Sequence, residues 1–268
     1  MRILAVILLV IVAASAATAQ SQLTVKGDAA AWEEVSGAWQ RLNGMKSYRM
    51  KMIPPPGAQG ADKMQFVIET VNPDRTRMVM NMEDMMTIEA VRVGQEFRRR
   101  ITLKGQLAQA GAQQPSMVNQ MFGGGIFGFL GTIANAFFNP LGFVTGLIFA
   151  SIADRMMQQV TNTFRSGVWQ CPEAGQGASS SSSSSNAEVA AVRLGESTIE
   201  GARTQGYDVT FTEQREGRTT TSKMRMYMLA DRQVPRRIES FDASGKSQGM
   251  MDYYDYDAPI TIDLPACQ

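Results

Sequence analysis

The chain contains no histidine. Serine–histidine and cysteine–histidine nucleophilic systems, the usual imidazole general base and nearly every zinc site depend on a neutral ring nitrogen near pH 7. The absence of histidine therefore excludes most hydrolase mechanisms. We expect a protein that is not an enzyme and that requires no cofactor.

The sequence also lacks an N-terminal apolar run long enough to cross a bilayer. The apolar stretch from Ile3 to Ala14 is about a dozen residues, whereas a spanning helix needs about 20. It follows Arg2 and leads to the small residues Ala17-Thr18-Ala19, the layout of a secretory signal peptide. We predict a signal peptide at residues 1–19, cleavage after Ala19, and a mature protein of residues 20–268 that is periplasmic or secreted.

The predicted mature chain has no net charge. Removal of Arg2 with the signal peptide leaves equal numbers of basic and acidic residues. Affinity for nucleic acid depends largely on neutralising phosphates with an excess of lysine and arginine. We therefore expect no nucleic-acid partner.

Cysteine is scarce, with Cys171 and Cys267 as the only two. An even pair in a chain exported to an oxidising compartment predicts a single disulfide, which would tie the C-terminus to the middle of the chain. Two separate buried thiols are the alternative.

Charged residues are absent from Gly105 to Ala153, and from Phe122 onward the run is dense in Phe, Ile, Leu and Gly. Asn139-Pro140 divides this part into two pieces, each shorter than the ~20 residues of a spanning helix. We predict an apolar helical insertion at 105–165 within a single domain. A serine-rich flexible loop is predicted at 173–187, because consecutive serines cannot bury apolar surface.

Three interpretations of the insertion stay open: a lid over a cavity, a tip that dips into a bilayer, and a buried helical hairpin that completes the core. A large exposed apolar patch on a soluble protein marks a membrane or partner contact. We expect residues 122–153 to contact lipid, as cargo or within a membrane, through Phe127, Phe129, Phe137, Phe138 and Phe143.

The remaining sequence predicts one helix and many strands. Apolar residues three and four apart from Asp28 to Met45 predict a helix, with Asp28 as its cap. Alternation of apolar and polar residues predicts nine or ten strands, with short turns that imply antiparallel neighbours. These strands are 46–53, 64–71, 75–82, 86–93, 96–103, 189–194, 206–213, 219–229, 236–242 and 248–256. The fold class is α+β, with a curved antiparallel sheet as its main element.

Two motifs resemble a known family. The segment from Tyr227 to Glu239 has a strand, an aspartate turn at Asp231, Pro235 and a second strand, and the ending from Tyr254 to Pro265 is YDYDAPITIDLP. These motifs resemble those of the periplasmic lipoprotein carriers of the LolA/LolB-like superfamily and their mycobacterial lipid-binding relatives. The resemblance implies an open half-barrel of antiparallel sheet wrapped around helices, with an apolar cavity that shields acyl chains in transit.

Methionine falls at alternate positions in three predicted strands, so each set lies on one face of its strand. Thioether side chains are flexible and polarizable, which suits a cavity for acyl chains of variable shape. Plain core filling is the alternative, and capture of a soft ion such as Cu(I) is a minor one. The candidate residues are Met50, Met52, Met78, Met80, Met82, Met224, Met226 and Met228.

Three consecutive arginines, Arg98, Arg99 and Arg100, occur in the strand 96–103. Alternation places Arg98 and Arg100 on one face and Arg99 on the other, beside Phe97 and Ile101. Anionic lipid headgroups would suit them, but a solvated face with cross-strand ion pairs is the simpler interpretation.

These observations favour a carrier or sensor of lipid or lipidated protein in the cell envelope, which works by partition of acyl chains into an apolar cavity. The alternative is an envelope structural protein whose apolar insertion anchors it to a membrane or a partner. A copper-binding protein that uses the methionines is the minor alternative.

Overall fold

The computed structural model describes residues 23–55, 57, 63–113, 166–171, 186–215 and 218–267. The predicted signal peptide, the predicted insertion beyond residue 113 as far as residue 165, and the serine run lie outside these residues.

The described residues form two helices and an 11-stranded sheet. The helices are α1 (Ala29–Gly44) and α2 (Gly105–Gln113). In chain order, the strands are β1 (Leu23–Gly27), β2 (Ser47–Ile53), β3 (Met64–Val71), β4 (Arg75–Met82), β5 (Met86–Val93), β6 (Glu96–Leu103), β7 (Asn186–Ile199), β8 (Ala202–Arg215), β9 (Arg218–Leu229), β10 (Pro235–Phe241) and β11 (Ser247–Tyr254).

The strand order is β1-β7-β8-β9-β10-β11-β2-β3-β4-β5-β6. The runs β2 to β6 and β7 to β11 are two antiparallel meanders, and β11 pairs with β2 to join them. Because β1 and β6 stand at opposite ends of the order, the sheet is open. The predicted α+β fold, an open half-barrel sheet with a helix against it, is confirmed.

Helix α1 begins as the sequence predicts. The side chain of Asp28 accepts a hydrogen bond from the backbone N–H of Ala31 at 3.1 Å, which satisfies a donor that the first helical turn leaves free. One face of α1 is buried against the sheet, and on it Trp39 meets Tyr253 of β11 edge to face with ring centroids 6.1 Å apart. The buried residues of this face are Ala31, Val35, Ala38, Trp39 and Leu42.

Strands β3 to β6 have the predicted bounds, whereas β7 and β8 are longer than the sequence predicts. The predicted strand 189–194 stops where a β-bulge lies, between Arg193 and Gly195. A bulge shifts the alternation of faces by one residue, so the pattern ends there although pairing with β8 continues to Ile199. At its other end β7 begins at Asn186, which lies inside the range predicted for the serine-rich loop, because Asn186 and Ala187 pair with Gln214 and Glu213.

Strand β1 was not predicted from the sequence. It is short and mostly exposed, and its alternation of Leu23 and Val25 with Thr24 and Lys26 is too brief to indicate a strand. It pairs parallel to β7, from Leu23 beside Ala187 to Gly27 beside Ala191. Hydrogen bonding between backbones therefore holds this strand. The sequence predicted a wholly antiparallel sheet, and the parallel pair β1–β7 is the exception.

Helix α2 occupies the first residues of the predicted insertion and contacts β6. No helix among the described residues is both long enough and apolar enough to cross a membrane.

The C-terminal strap, residues 255–267, leaves β11 without regular structure and returns across the sheet. Ile262 is buried in the core, and its carbonyl oxygen accepts a hydrogen bond from Arg75 at 3.0 Å. At the end of the strap Cys267 forms a disulfide with Cys171, with the two Cα atoms 5.9 Å apart. The predicted disulfide is confirmed.

Candidate functional site

The inner face is the face of the sheet that is buried and that carries α1. Neighbouring residues of a strand point to opposite faces, so the register of the strands fixes the members of this face. Methionine is its commonest large side chain, and it occurs on strands of both meanders. The methionines of the inner face are Met50, Met52, Met64, Met78, Met80, Met82, Met86, Met224, Met226, Met228 and Met251.

Cross-strand neighbours join these side chains into rows. One such row crosses seven adjacent strands from β9 to β5, and side chains directly opposite one another have Cβ atoms about 4.5–5.5 Å apart. The β11–β2 pairing makes the row continuous, because it places Met251 beside Met52. The members of the row in spatial order are Met226, Ile238, Met251, Met52, Phe66, Met80 and Ile88.

The structure places the eight candidate methionines of the sequence together on the inner face. Seven of them are buried, and Met82 is partly buried against the same core. Each predicted set therefore lies on one face of its strand, as alternation requires. Their contact with a ligand stays a prediction. The phenylalanines predicted to contact lipid, Phe127, Phe129, Phe137, Phe138 and Phe143, lie outside the described residues.

The outer face of the sheet carries cross-strand ion pairs. Glu89 of β5 is 8% exposed and binds Arg77 of β4 and Arg100 of β6, and Arg77 also contacts Glu69 of β3. Pairs between neighbouring strands recur in the other meander, as Asp208–Arg225 at 2.7 Å and Arg237–Asp252 at 2.6 Å. Each such pair stabilises its two strands by up to about 1 kcal/mol.

The three consecutive arginines divide between the faces as predicted. Arg100 joins the ion pairs of the outer face, where its guanidinium also stacks over Trp169 at 4.7 Å, and Arg98 pairs with Glu96 at 2.7 Å. Arg99 is buried on the inner face, and its Nε donates to Gln170 Oε1 at 3.0 Å. Burial lowers the pKa of Arg99. For Arg98 and Arg100 the interpretation as ion pairs of a strand face is the one that the structure supports.

A second concave feature, the polar cleft, lies between α1 and strands β7 to β9. Its volume is about 300 Å³. Arg193 and Tyr207 both donate hydrogen bonds to the carboxylate of Glu34, and Arg41 donates through Nε to the carbonyl oxygen of Gln233 at 2.9 Å. Sequence reasoning missed this cleft, because Glu34 and Arg193 are 159 residues apart and no local pattern links them.

The electrostatics of the polar cleft favour the ionised Glu34. The hydrogen bond from Arg193 is the largest cause that lowers the pKa of Glu34 from its ordinary value of 4.5, and it outweighs the opposing effect of burial. Burial, and then the hydrogen bond to Glu34, raise the pKa of Tyr207 to about 12. The cleft therefore holds a neutral phenol against a carboxylate that stays charged in mild acid.

We expect Arg193→Met to raise the pKa of Glu34 toward 4.5, because the substitution removes the strongest donor to that carboxylate. A carboxylate with a lowered pKa in the folded state stabilises the fold above pH 4.5, and this stabilisation is lost as pH falls through the folded-state pKa. Carboxyl ¹³C NMR titration measures the pKa directly, and urea unfolding in acid measures its effect on stability. Arg203→Met, which alters an exposed pair with Glu196, is the control. A wild-type Glu34 that titrates at 4.5 would contradict the network.

The described part of the chain contains no group of three or more Cys, Asp or Glu side chains placed to hold a metal ion.

Comparison with known proteins finds no matching family model and no matching curated protein. Solved structures do match. Lipoprotein LppX of Mycobacterium tuberculosis is 9% identical with a TM-score of 0.43, and the match covers 88% of this chain and 100% of LppX. LprF of Mycobacterium bovis is 9% identical with a TM-score of 0.42, covering 89% and 98%. MucB is 12% identical with a TM-score of 0.39, covering 90% of this chain and 66% of MucB.

The fold of this chain is assigned from its own strand order and register, because TM-scores below 0.5 do not identify a fold by themselves.

Proposed function

We propose that this chain is an exported, non-enzymatic carrier or sensor of lipid or lipidated protein that binds acyl chains against the methionine-rich inner face of its open half-barrel. The observation that carries the proposal is the continuity of that face, on which methionines of both meanders meet in one row.

The chemistry of the inner face suits acyl chains. Thioether side chains are unbranched, so they repack around a ligand of variable shape more readily than branched aliphatic side chains. Burial of a chain of about fourteen CH₂ groups contributes on the order of 10 kcal/mol before the entropic cost of binding. Partition alone therefore provides the driving force, and no catalytic step is needed.

The length of the inner face also suits an acyl chain. Adjacent strands lie about 4.8 Å apart, so a row that crosses seven strands extends about 29 Å along the sheet. A bilayer whose hydrocarbon core is about 30 Å thick gives each leaflet's chains about 15 Å. One acyl chain fits along the row with room to spare.

The disulfide supports an exported location. Disulfides persist in oxidising compartments and are rare in the cytosol, where thiols are kept reduced. Cys171–Cys267 therefore agrees with the signal peptide predicted at residues 1–19, and a periplasmic or secreted protein is part of the proposal.

The test is native mass spectrometry with lipid extraction on residues 20–268, purified from a bacterial periplasm without detergent. We expect a mass increment that corresponds to an acyl lipid. A matched triple variant, Met78→Leu with Met80→Leu and Met82→Leu, should keep acyl binding within about threefold, because leucine conserves volume and apolarity. A protein that carries no acyl lipid and takes up none when lipid is added would contradict the carrier.

The same triple variant distinguishes a copper-binding protein, the minor alternative, from the carrier. Leucine has no sulfur, so a protein that binds Cu(I) through these thioethers would lose the ion in the triple variant. For the anchoring alternative, an empty protein that sediments with membranes until detergent is added would be the supporting result.

A further inference from the structure

Arg92 is the one side chain on β5 that combines a full charge with a position on the inner face. The register places it beside Thr76 of β4 and Phe97 of β6, in phase with Ala90, Ile88 and Met86 of its own strand. The residue is half-buried, and its Nε is out of reach of water.

Within the described part of the chain, Arg92 makes no hydrogen bond and no ion pair. A buried guanidinium nitrogen without a partner loses hydration and gains nothing in return, which costs free energy. Arg98 provides a contrast on the outer face of the next strand. Its Nε is also buried without a partner, but its terminal nitrogens bind the carbonyl oxygen of Phe97 and the carboxylate of Glu96.

Arg92 lies at one rim of the inner face. It lies near the end of β5, two residues before Gly94, in the last row of the inner face before the β3–β4 and β5–β6 turns. Ala90, Ile88 and Met86 follow it along the strand into the buried interior. The inner face is therefore basic at this rim and apolar farther in.

Arg99 adds positive charge to the same region. It is the diagonal neighbour of Arg92 across the β5–β6 pair, and such neighbours lie about 7–8 Å apart. Since Arg99 Nε bonds Gln170, we assign it a contribution to the electrostatic potential and no specific ligand contact.

We infer that Arg92 binds the acidic headgroup of an acyl-chain ligand, a carboxylate or a phosphate, while the chain extends from this rim along the inner face. A guanidinium has several donors in a planar fork that matches both anions. The inference rests on the proposed function, because it specifies the kind of lipid that the carrier holds.

The experiment compares ligands that share one chain and differ in headgroup. Isothermal titration calorimetry below the critical micelle concentration would measure binding of dodecanoate, dodecyl phosphate, dodecanol and inorganic phosphate to residues 20–268. A hydrogen bond to a charged group predicts that dodecanoate and dodecyl phosphate bind about tenfold or more tightly than dodecanol.

Arg92→Met should abolish this preference and leave dodecanol binding unchanged. Arg92→Lys should retain part of the preference, because lysine keeps the charge without the fork. Arg98→Met is the matched control on the outer face and should behave as wild type. Arg92→Met removes an unpaired charge, so we expect the thermal midpoint of this variant to be at least that of wild type. A variant that is stably folded and lacks the headgroup preference has lost recognition of the headgroup and not its fold.

The outcomes distinguish failure of the headgroup assignment from failure of the proposed function. Equal affinity for dodecanol and dodecanoate, or a preference that survives in Arg92→Met, would overturn the headgroup assignment and leave the carrier intact. Inorganic phosphate that binds as tightly as dodecyl phosphate would also overturn it, in favour of a free-anion site. Failure of all three acyl ligands to bind would overturn the proposed function itself.

Discussion

Replacement of both Cys171 and Cys267 by serine is expected to lower the free energy of unfolding by about 4–5 kcal/mol, the value that the chain-entropy model gives for a loop of this length. The bond joins residues 96 positions apart, so it removes a large amount of freedom from the unfolded chain. In the folded state Ile262 still anchors the C-terminal strap through its buried side chain and its bond to Arg75. The loss therefore arises mainly in the unfolded ensemble.

Urea unfolding followed by circular dichroism measures this effect. A less constrained unfolded chain exposes more surface, so the double variant should have a lower midpoint and a larger m-value than wild type. Wild-type protein with its disulfide reduced is the control and should reproduce both changes. A double variant with the midpoint and m-value of the oxidised wild type would show that the bond contributes no stability.

Trp39→Ala is expected to destabilise the fold by about 3–5 kcal/mol, the range for truncation of a large aromatic side chain in a core. Trp39 is 2% exposed and packs edge to face against Tyr253, which belongs to the strand that joins the two meanders. The substitution removes this ring contact between α1 and β11 and leaves a cavity.

Gln40→Ala is the matched control, since Gln40 is exposed one residue later on the same helix. Alanine is the better helix former, so this variant should change the free energy of unfolding by less than about 0.5 kcal/mol. Thermal and urea unfolding of the two variants measure the difference. Equal stabilities would contradict the packing of α1 on the inner face.

Local patterns were enough to predict the elements whose signals are local. Helix α1 has a cap at Asp28 and apolar residues on one face, and both depend on residues within a few positions of each other. Strands β3 to β6 pair without a β-bulge and end at turn residues such as Pro73 and Gly94, so their bounds were predicted correctly. Where a bulge at Gly195 breaks the alternation, the prediction stopped short.

The candidate site was only partly predictable. Alternation placed Arg99 on the opposite face from Arg98 and Arg100, and it would also have placed Arg92 in phase with Ile88 and Met86. The absence of a partner for Arg92 within the described residues depends on everything packed around it, so no local pattern contains that information. Glu34 and Arg193 likewise meet only because α1 lies against β7.

Local sequence patterns predicted α1, every strand except β1, and the faces of the strand residues that lie outside a bulge, because hydrogen bonding within a helix and alternation within a strand are properties of neighbouring residues. Tertiary structure alone decided that β1 joins β7 in parallel, that β11 pairs with β2, and that the methionines of two distant segments form one surface. These depend on pairing between strands far apart in the chain. Backbone hydrogen bonds are the same for every partner, so the choice is made by how all the side chains pack at once.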